Sequence, residues 1–216
     1  ILFSMTNENI DIEKILKNII IGALFIVPFV PLLVSTTMFF PFITGKNFLF
    51  RILIEIAFSA WLLLVVYDKN YLPKKTRILS AVGAFIAVMA VADFFGINFY
   101  RSFWSNYERM EGLISLLHIF GYFVLLISVF TEKIWKRYFN VIFFVGVGLM
   151  IHGFLQLAGK ADIHQSGTRI DTSFGNSSYF AIHALYLAFL GAIFYFRNLS
   201  KSSKWFYAGI SVIFAI

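Results

Sequence analysis

The chain has 216 residues and a formal net charge of +7; it is 60% hydrophobic and 13% charged, with 28 Phe and no Cys. Soluble domains average roughly 45–50% apolar and about 25% charged residues and keep about a quarter to a third of their surface wet, so this composition excludes a soluble globular enzyme. Its hydrophobicity excludes a disordered chain, and the missing cysteine excludes disulfide scaffolds, thiol catalysis and Cys-type zinc sites.

Ile1–Ser4 stand before Met5, which is either an internal Met or the true start, and the polar stretch that follows makes residues 1–18 a cytoplasmic lead-in. Six apolar runs come next: Ile19–Phe42, Phe48–Tyr67, Ile78–Phe95, Gly112–Phe130, Phe139–Ala158 and Ser177–Phe196. Each is long enough, or nearly so, for a hydrocarbon core that needs about 20 helical residues. A seventh begins at Trp205 and is still apolar at Ile216. The first run is too long for a signal-peptide core and has no small-residue cleavage site; Pro28 and Pro31 are expected to kink it. β-barrel alternation is missing, so the expected fold is all-α: a polytopic transmembrane helical bundle of about seven spans, the last truncated. Residues 19–158 then form a bundle of five spans, and residues 159–216 open a second region with an outer loop, the sixth span and part of the seventh. The sequence reads as the N-terminal portion of a longer membrane protein.

Alternate connections split the basic residues 12 to 6. The richer set includes Lys14, Lys17, Lys74, Lys75, Arg137 and Lys204; the poorer set is Lys46, Arg51, Arg101, Arg109, Lys160 and Arg169. The positive-inside rule places the richer set and the N-terminus in the cytoplasm. The basic balance is therefore a topology signal, and no nucleic acid partner is expected.

Within the spans, Arg51 and Glu55 are four apart and share a helix face. Buried charges cost roughly 2.5–3.5 kcal/mol each on insertion scales, so the two are expected to neutralise each other, with Arg51 reaching outward; lining a polar cavity is the other reading. Gly83, Ala84, Ala87 and Val91 mark the third span as tightly packed. Asp93 meets Arg101, an Arg of another loop, or headgroup water. His118, His152 and His183 are each either bonded to a neighbouring helix or part of a proton relay, and His152 with Gln156 is expected to face a wet cavity.

Two outer connections carry richer chemistry. In GINFYRSFWSNYERME, residues 96–111, the aromatics fit an interfacial belt. Glu108 and Glu111 lie a helical turn apart beside Arg101 and Arg109, a set that can hold an anionic headgroup or activate an acceptor hydroxyl. In GKADIHQSGTRIDTSFGN, residues 159–176, His164, Asp162 and Asp171 lack compact metal-site spacing, so no metal is expected. Arg169 stands against the positive-inside bias, shortly before the start of the sixth span. An arginine beside a helix N-terminus with several free N–H groups suits a phosphate or pyrophosphate; the other reading leaves it in the headgroup layer.

The segment Arg169-Ile-Asp-Thr-Ser-Phe-Gly-Asn-Ser-Ser-Tyr-Phe-Ala resembles the opening of the O-antigen ligase and polymerase domain, where an Arg precedes a Gly-Thr-Phe-Gly-Asn-Pro-Asn type turn and a span. Phe103-Trp-Ser-Asn-Tyr-Glu-Arg-Met-Glu-Gly-Leu resembles the loop before the family's fourth span, and Lys46-Asn-Phe-Leu-Phe-Arg the start of its second. Thr172 stands where the family often has Gly, and Ser177 and Ser178 replace Pro and Asn. With the span order, the resemblance covers most of the chain.

The resemblance implies a glycosyltransferase of the bacterial inner (cytoplasmic) membrane. It would move a glycan from an undecaprenyl-diphosphate carrier to lipid A core, another glycan or a protein hydroxyl on the outer face. No cofactor is implied, and the chain has no Gly-rich phosphate loop. Arg169 is assigned to the diphosphate by its match to the motif, with Arg101 and Arg109 as candidates from position. Glu108, Glu111 and His164 are the polar outer-loop residues on the acceptor side. The family's general-base His is expected beyond Ile216, so no catalytic residue is assigned here and the fragment alone is expected to be inactive. An O-antigen or capsule polymerase and a protein O-oligosaccharyltransferase fit equally. From other classes, a lipid-linked glycan transporter or flippase would use His152, Asp93 and Glu55 as a polar path and should show inverted repeats, which the sequence lacks; a structural membrane subunit is the remaining alternative.

Overall fold

Proline placement decides where the first helix ends. The computed structural model describes residues 2–106, 109–164, 168–197 and 201–215. In it α1 (Leu2–Ile26) tightens into a 3-10 turn at Val27–Leu32. Pro28 has no N–H, and its ring crowds the carbonyl four residues back, so α-type bonding stops. Next come α2 (Thr44–Tyr67), α3 (Arg77–Phe94), the short α4 (Phe99–Trp104), α5 (Leu113–Val129), α6 (Glu132–Leu157), α7 (Ser177–Phe196) and α8 (Lys201–Ala215). Side-chain caps set several starts. The Thr76 hydroxyl accepts from the Leu79 N–H at 3.1 Å, and the Asn98 side chain from the Arg101 N–H at 3.0 Å. Each supplies an acceptor to a first turn whose amides have no partner inside the helix.

The fold is all-helical among the described residues. Five helical segments are long and apolar enough to cross a membrane: Ile12–Leu32, Thr44–Tyr67, Arg77–Phe94, Glu132–Leu157 and Ser177–Phe196. The chain is a membrane protein on that ground. The expected count of about seven meets a shortfall in two shorter apolar helices, Leu113–Val129 and Lys204–Ala215. At about 1.5 Å per residue, the 17 residues of α5 reach about 25 Å, less than the roughly 30 Å of a bilayer core.

The chain divides into two compact units, Ile1–Val30 with Ser35–Lys136, and Pro31–Val34 with Arg137–Ile216. In the first, α1 lies along α2, α5 packs on α2, and α3 and α4 lie against α5. Ile20, Leu24, Ile54, Ala57, Leu64 and Leu125 are buried there. Gly121 of α5 faces α2, where a Cβ would stand in ordinary contact with Ile54 at 3.5 Å and Phe58 at 3.6 Å. At one end of this unit the Lys17 ammonium donates to the Tyr71 hydroxyl at 3.2 Å, and that hydroxyl donates to Glu13 Oε1 at 2.9 Å. Burial is the main cause that pushes the Tyr71 phenol up.

The expected tight packing of the third span is corrected. Among the residues of α3 only Ile86 is buried, while Ala84, Ala87 and Val91 are exposed; Gly83 meets Phe120 of α5. Small side chains permit a close approach but do not choose which neighbour makes it.

In the second unit α7 and α8 pack as a pair. A Cβ on Gly191 would lie 3.2 Å from both the Tyr207 carbonyl and the Ser211 N, so glycine is what allows the backbones to approach. The Ser211 hydroxyl donates to the Ala188 carbonyl at 2.5 Å. Phe143, Leu187, Phe194, Tyr207, Ile210 and Phe214 build the core, with Phe194 and Tyr207 stacked at 5.0 Å. Outward-facing residues such as Val66, Phe144 and Phe196 are large and apolar, as a surface in contact with lipid requires.

Candidate functional site

The connection between α6 and α7 is organised by one carboxamide. Gln156 lies in the last turn of α6 and is 2% exposed. Its Nε2 donates to the Asp162 carbonyl at 2.6 Å and to Asp171 Oδ1 at 2.7 Å. Its Oε1 accepts from the backbone N–H groups of Asp171 at 3.2 Å and Thr172 at 2.9 Å. All the hydrogen-bonding capacity of a primary amide is thereby used. Gln156 thus belongs to a buried lock, which corrects the expectation of a wet cavity shared with His152. The fully buried Asp171 also accepts from the His164 N–H at 2.8 Å, and the His164 ring nitrogen Nδ1 stands 3.5 Å from Oδ1. His164 is therefore tied to a structural carboxylate. Among the described residues no group of three His, Asp or Glu converges as metal ligands do.

Beyond the lock the chain makes a short 3-10 turn at Thr172–Phe174. Thr172 adopts φ +49°, uncommon for a β-branched residue, and its buried hydroxyl has no partner among the described residues. Ser173 donates to the Pro31 carbonyl at 2.7 Å, Gly175 takes the left-handed conformation, and Asn176 caps α7. The Asn176 side chain accepts from the N–H groups of Ser178 at 2.9 Å and Tyr179 at 3.4 Å. The expectation of several free amides at this helix start is corrected accordingly, because the cap takes two of them.

Arg169 is exposed and lines a cleft of about 620 Å³. Ser177 and Ser178 also line it, together with the apolar Met150, Phe180, Ala184, Leu185 and Phe214. The lining is amphipathic: one arginine and two serines accompany mostly apolar residues.

In the first unit, Arg51 is buried and its Nη2 donates to the Met110 carbonyl and to the Ser115 hydroxyl, the latter at 2.8 Å. Ser115 in turn donates to the Met110 carbonyl at 2.9 Å. The expected Arg51–Glu55 neutralisation gives way to separate partners, for Glu55 Oε1 lies 3.1 Å from His118 Nε2. An i, i+4 ion pair is worth only a few tenths of a kcal/mol, less than a fixed carbonyl offers a buried guanidinium. His118 Nδ1 lies 2.7 Å from the Ile114 carbonyl, which can only accept, so Nδ1 carries the proton.

Arg109 lies with its guanidinium 5.2 Å from the Phe40 ring centre, and its carbonyl accepts from Asn47 Nδ2 at 3.1 Å. Arg101 is exposed and lines a separate cleft beside α4. Glu111 is exposed, whereas Glu108 lies outside the described residues. Among the described residues Asp93 and Arg101 form no ion pair. Arg169 thus belongs to the second unit, and Arg101, Arg109 and Glu111 to the first. Gln156, Asp171, Met110 and Ser115 were missed as organising residues. Only Gln156 and Ser115, polar side chains in apolar runs, gave a signal in the sequence.

No family model, no curated protein and no solved structure matches the chain.

Proposed function

We propose that the protein is a bacterial inner-membrane glycosyltransferase of the O-antigen ligase kind. It moves a glycan from an undecaprenyl-diphosphate carrier to a lipid A core, glycan or protein acceptor on the outer face, with its N-terminus in the cytoplasm. The observation that carries the reading is the Arg169 cleft, lined by one arginine, two serines and a majority of apolar residues. A donor with an anionic head on a hydrocarbon tail fits that lining. The excess of basic residues on alternate connections supports the orientation. In this reading α5 and α8 complete seven crossings, the thin α5 being accommodated by local thinning of the bilayer.

The chemistry asks little of the protein beyond charge placement. The bond between the sugar's anomeric carbon and the diphosphate oxygen breaks, a new bond forms to the acceptor oxygen, and the hydroxyl proton passes to a base. Negative charge grows on the leaving diphosphate. A guanidinium with paired donors stabilises it, an effect on the order of 10²–10³ in rate for one well-placed donor. The base is the outer-loop His that the family resemblance implies. Ligase, polymerase and protein transferase share this donor half and differ in the acceptor. A transporter is less well supported, since Glu55 is bonded to His118 and Gln156 beside His152 is saturated.

The test is Arg169→Ala in the full-length protein, reconstituted with a lipid-diphosphate glycan. Transfer should fall about 100-fold while membrane insertion stays normal, and Arg169→Lys should keep part of it. Undiminished transfer by Arg169→Ala removes the site.

A further inference from the structure

The Arg169 cleft leaves a second cavity without a role. Beside α4 lies a cleft of about 460 Å³ lined by Tyr100, Arg101, Trp104, Ser105, Asn106 and Met110. Its volume falls within the range of small-molecule sites, about 300–1,000 Å³. The six-residue helix divides its side chains by spacing. Phe99 and Phe103, four apart, pack on each other at 5.7 Å, and Phe99 also meets Phe94 of α3 at 6.0 Å. Tyr100 and Trp104, also four apart, line the cleft. Phe103 braces the Trp104 ring edge-on at 5.0 Å. The aromatic surface is therefore supported from behind.

The polar groups around it are unspent. The Tyr100 hydroxyl, the Arg101 guanidinium, the Trp104 indole N–H and the Asn106 carboxamide have no hydrogen-bond partner among the described residues. The rim is also held in place. Ser105 adopts φ 61° and ψ −143°, a region that side chains avoid, and its N–H donates to the Arg101 carbonyl at 2.7 Å. Met110 at φ 51° is fixed by the bonds from Arg51 and Ser115 to its carbonyl. Uncommon backbone of this kind persists only where the surroundings enforce it. A rigid aromatic platform rimmed by donors, an amide and one cation matches a ligand with an apolar face and a ring of hydroxyls.

We propose that this cleft binds a sugar ring of a glycan, with Tyr100 and Trp104 against its C–H face, Ser105 and Asn106 on its hydroxyls and Arg101 on an acidic substituent. The proposal rests on the glycosyl-transfer reading for the source of that sugar, and it gives Arg101 a role other than diphosphate binding.

Its test does not use transfer. Full-length protein in lipid nanodiscs is screened against an array of neutral and acidic bacterial surface oligosaccharides without lipid or diphosphate, and the best neutral and acidic binders are titrated. Trp104→Ala should weaken both about tenfold, and Trp104→Phe should recover most of the loss. Arg101→Gln, at an exposed position where folding is not at stake, should weaken the acidic glycan more than the neutral one. An array on which nothing binds overturns the proposal. So does binding that is indifferent to Trp104→Ala and Arg101→Gln, because these aromatics would then be an interfacial belt. Loss of transfer in Arg169→Ala alongside either result would leave the transferase standing without this site.

Discussion

At the scale of single residues, the polar side chains that matter are those with fixed partners. Gln156 joins the end of α6 to Asp171 and Thr172, 15 and 16 positions later. Gln156→Ala would leave a buried carboxylate and a buried N–H short of partners, which costs about 2–3 kcal/mol. Thermal unfolding in detergent should therefore shift clearly downward, and an unchanged midpoint would show that the lock is ornamental. Arg51 teaches the complementary lesson. Its sequence neighbour Glu55 is a partner that helix spacing makes visible, but the carbonyl of Met110 lies 59 positions away and cannot be read from a single chain. Arg169 stands out in the sequence by its place shortly before the apolar run Ser177–Phe196, and in the structure it lines a cleft. Asp171 does not stand out in the sequence, because an acidic residue in a loop looks the same whether it is solvated or fully buried.

At the scale of elements, apolarity located the helices but not their ends. The run Ser177–Phe196 coincides with α7, whereas α6 starts at Glu132, seven residues before the run at Phe139. The charged turn from Glu132 to Arg137 is helical by propensity, yet too polar for hydrocarbon, so hydropathy marks membrane depth and helix propensity marks the ends. Small residues proved equally selective. Ala84 is exposed on α3, so Ala84→Leu should leave stability unchanged in the same unfolding assay; a marked loss would mean that this face is covered. Gly112 is different, because a Cβ there collides with the backbone carbonyls of Ser102 and Phe103. Gly112→Ala should push α4 off α5, seen as faster cleavage of residues 96–111 in limited proteolysis. Cleavage at the wild-type rate would contradict that contact.

At the scale of the whole molecule, composition points to a membrane protein and the missing strand alternation to helices, and five helical segments are long and apolar enough to cross a bilayer. Sidedness rests on basic residues, and the chain offers a direct check since it contains no native cysteine. With Lys74→Cys and Lys160→Cys in separate proteins, a membrane-impermeant maleimide applied to intact spheroplasts should label only the second. Labelling of position 74 would invert the topology and put the Arg169 cleft on the wrong face for a lipid-linked donor made available outside. The measurement that bears most directly on function is glycan transfer from a lipid-diphosphate donor by full-length Arg169→Ala in proteoliposomes, with insertion verified in the same sample. A fall of about 100-fold is expected if the guanidinium carries the leaving diphosphate, and transfer at the wild-type rate would contradict it.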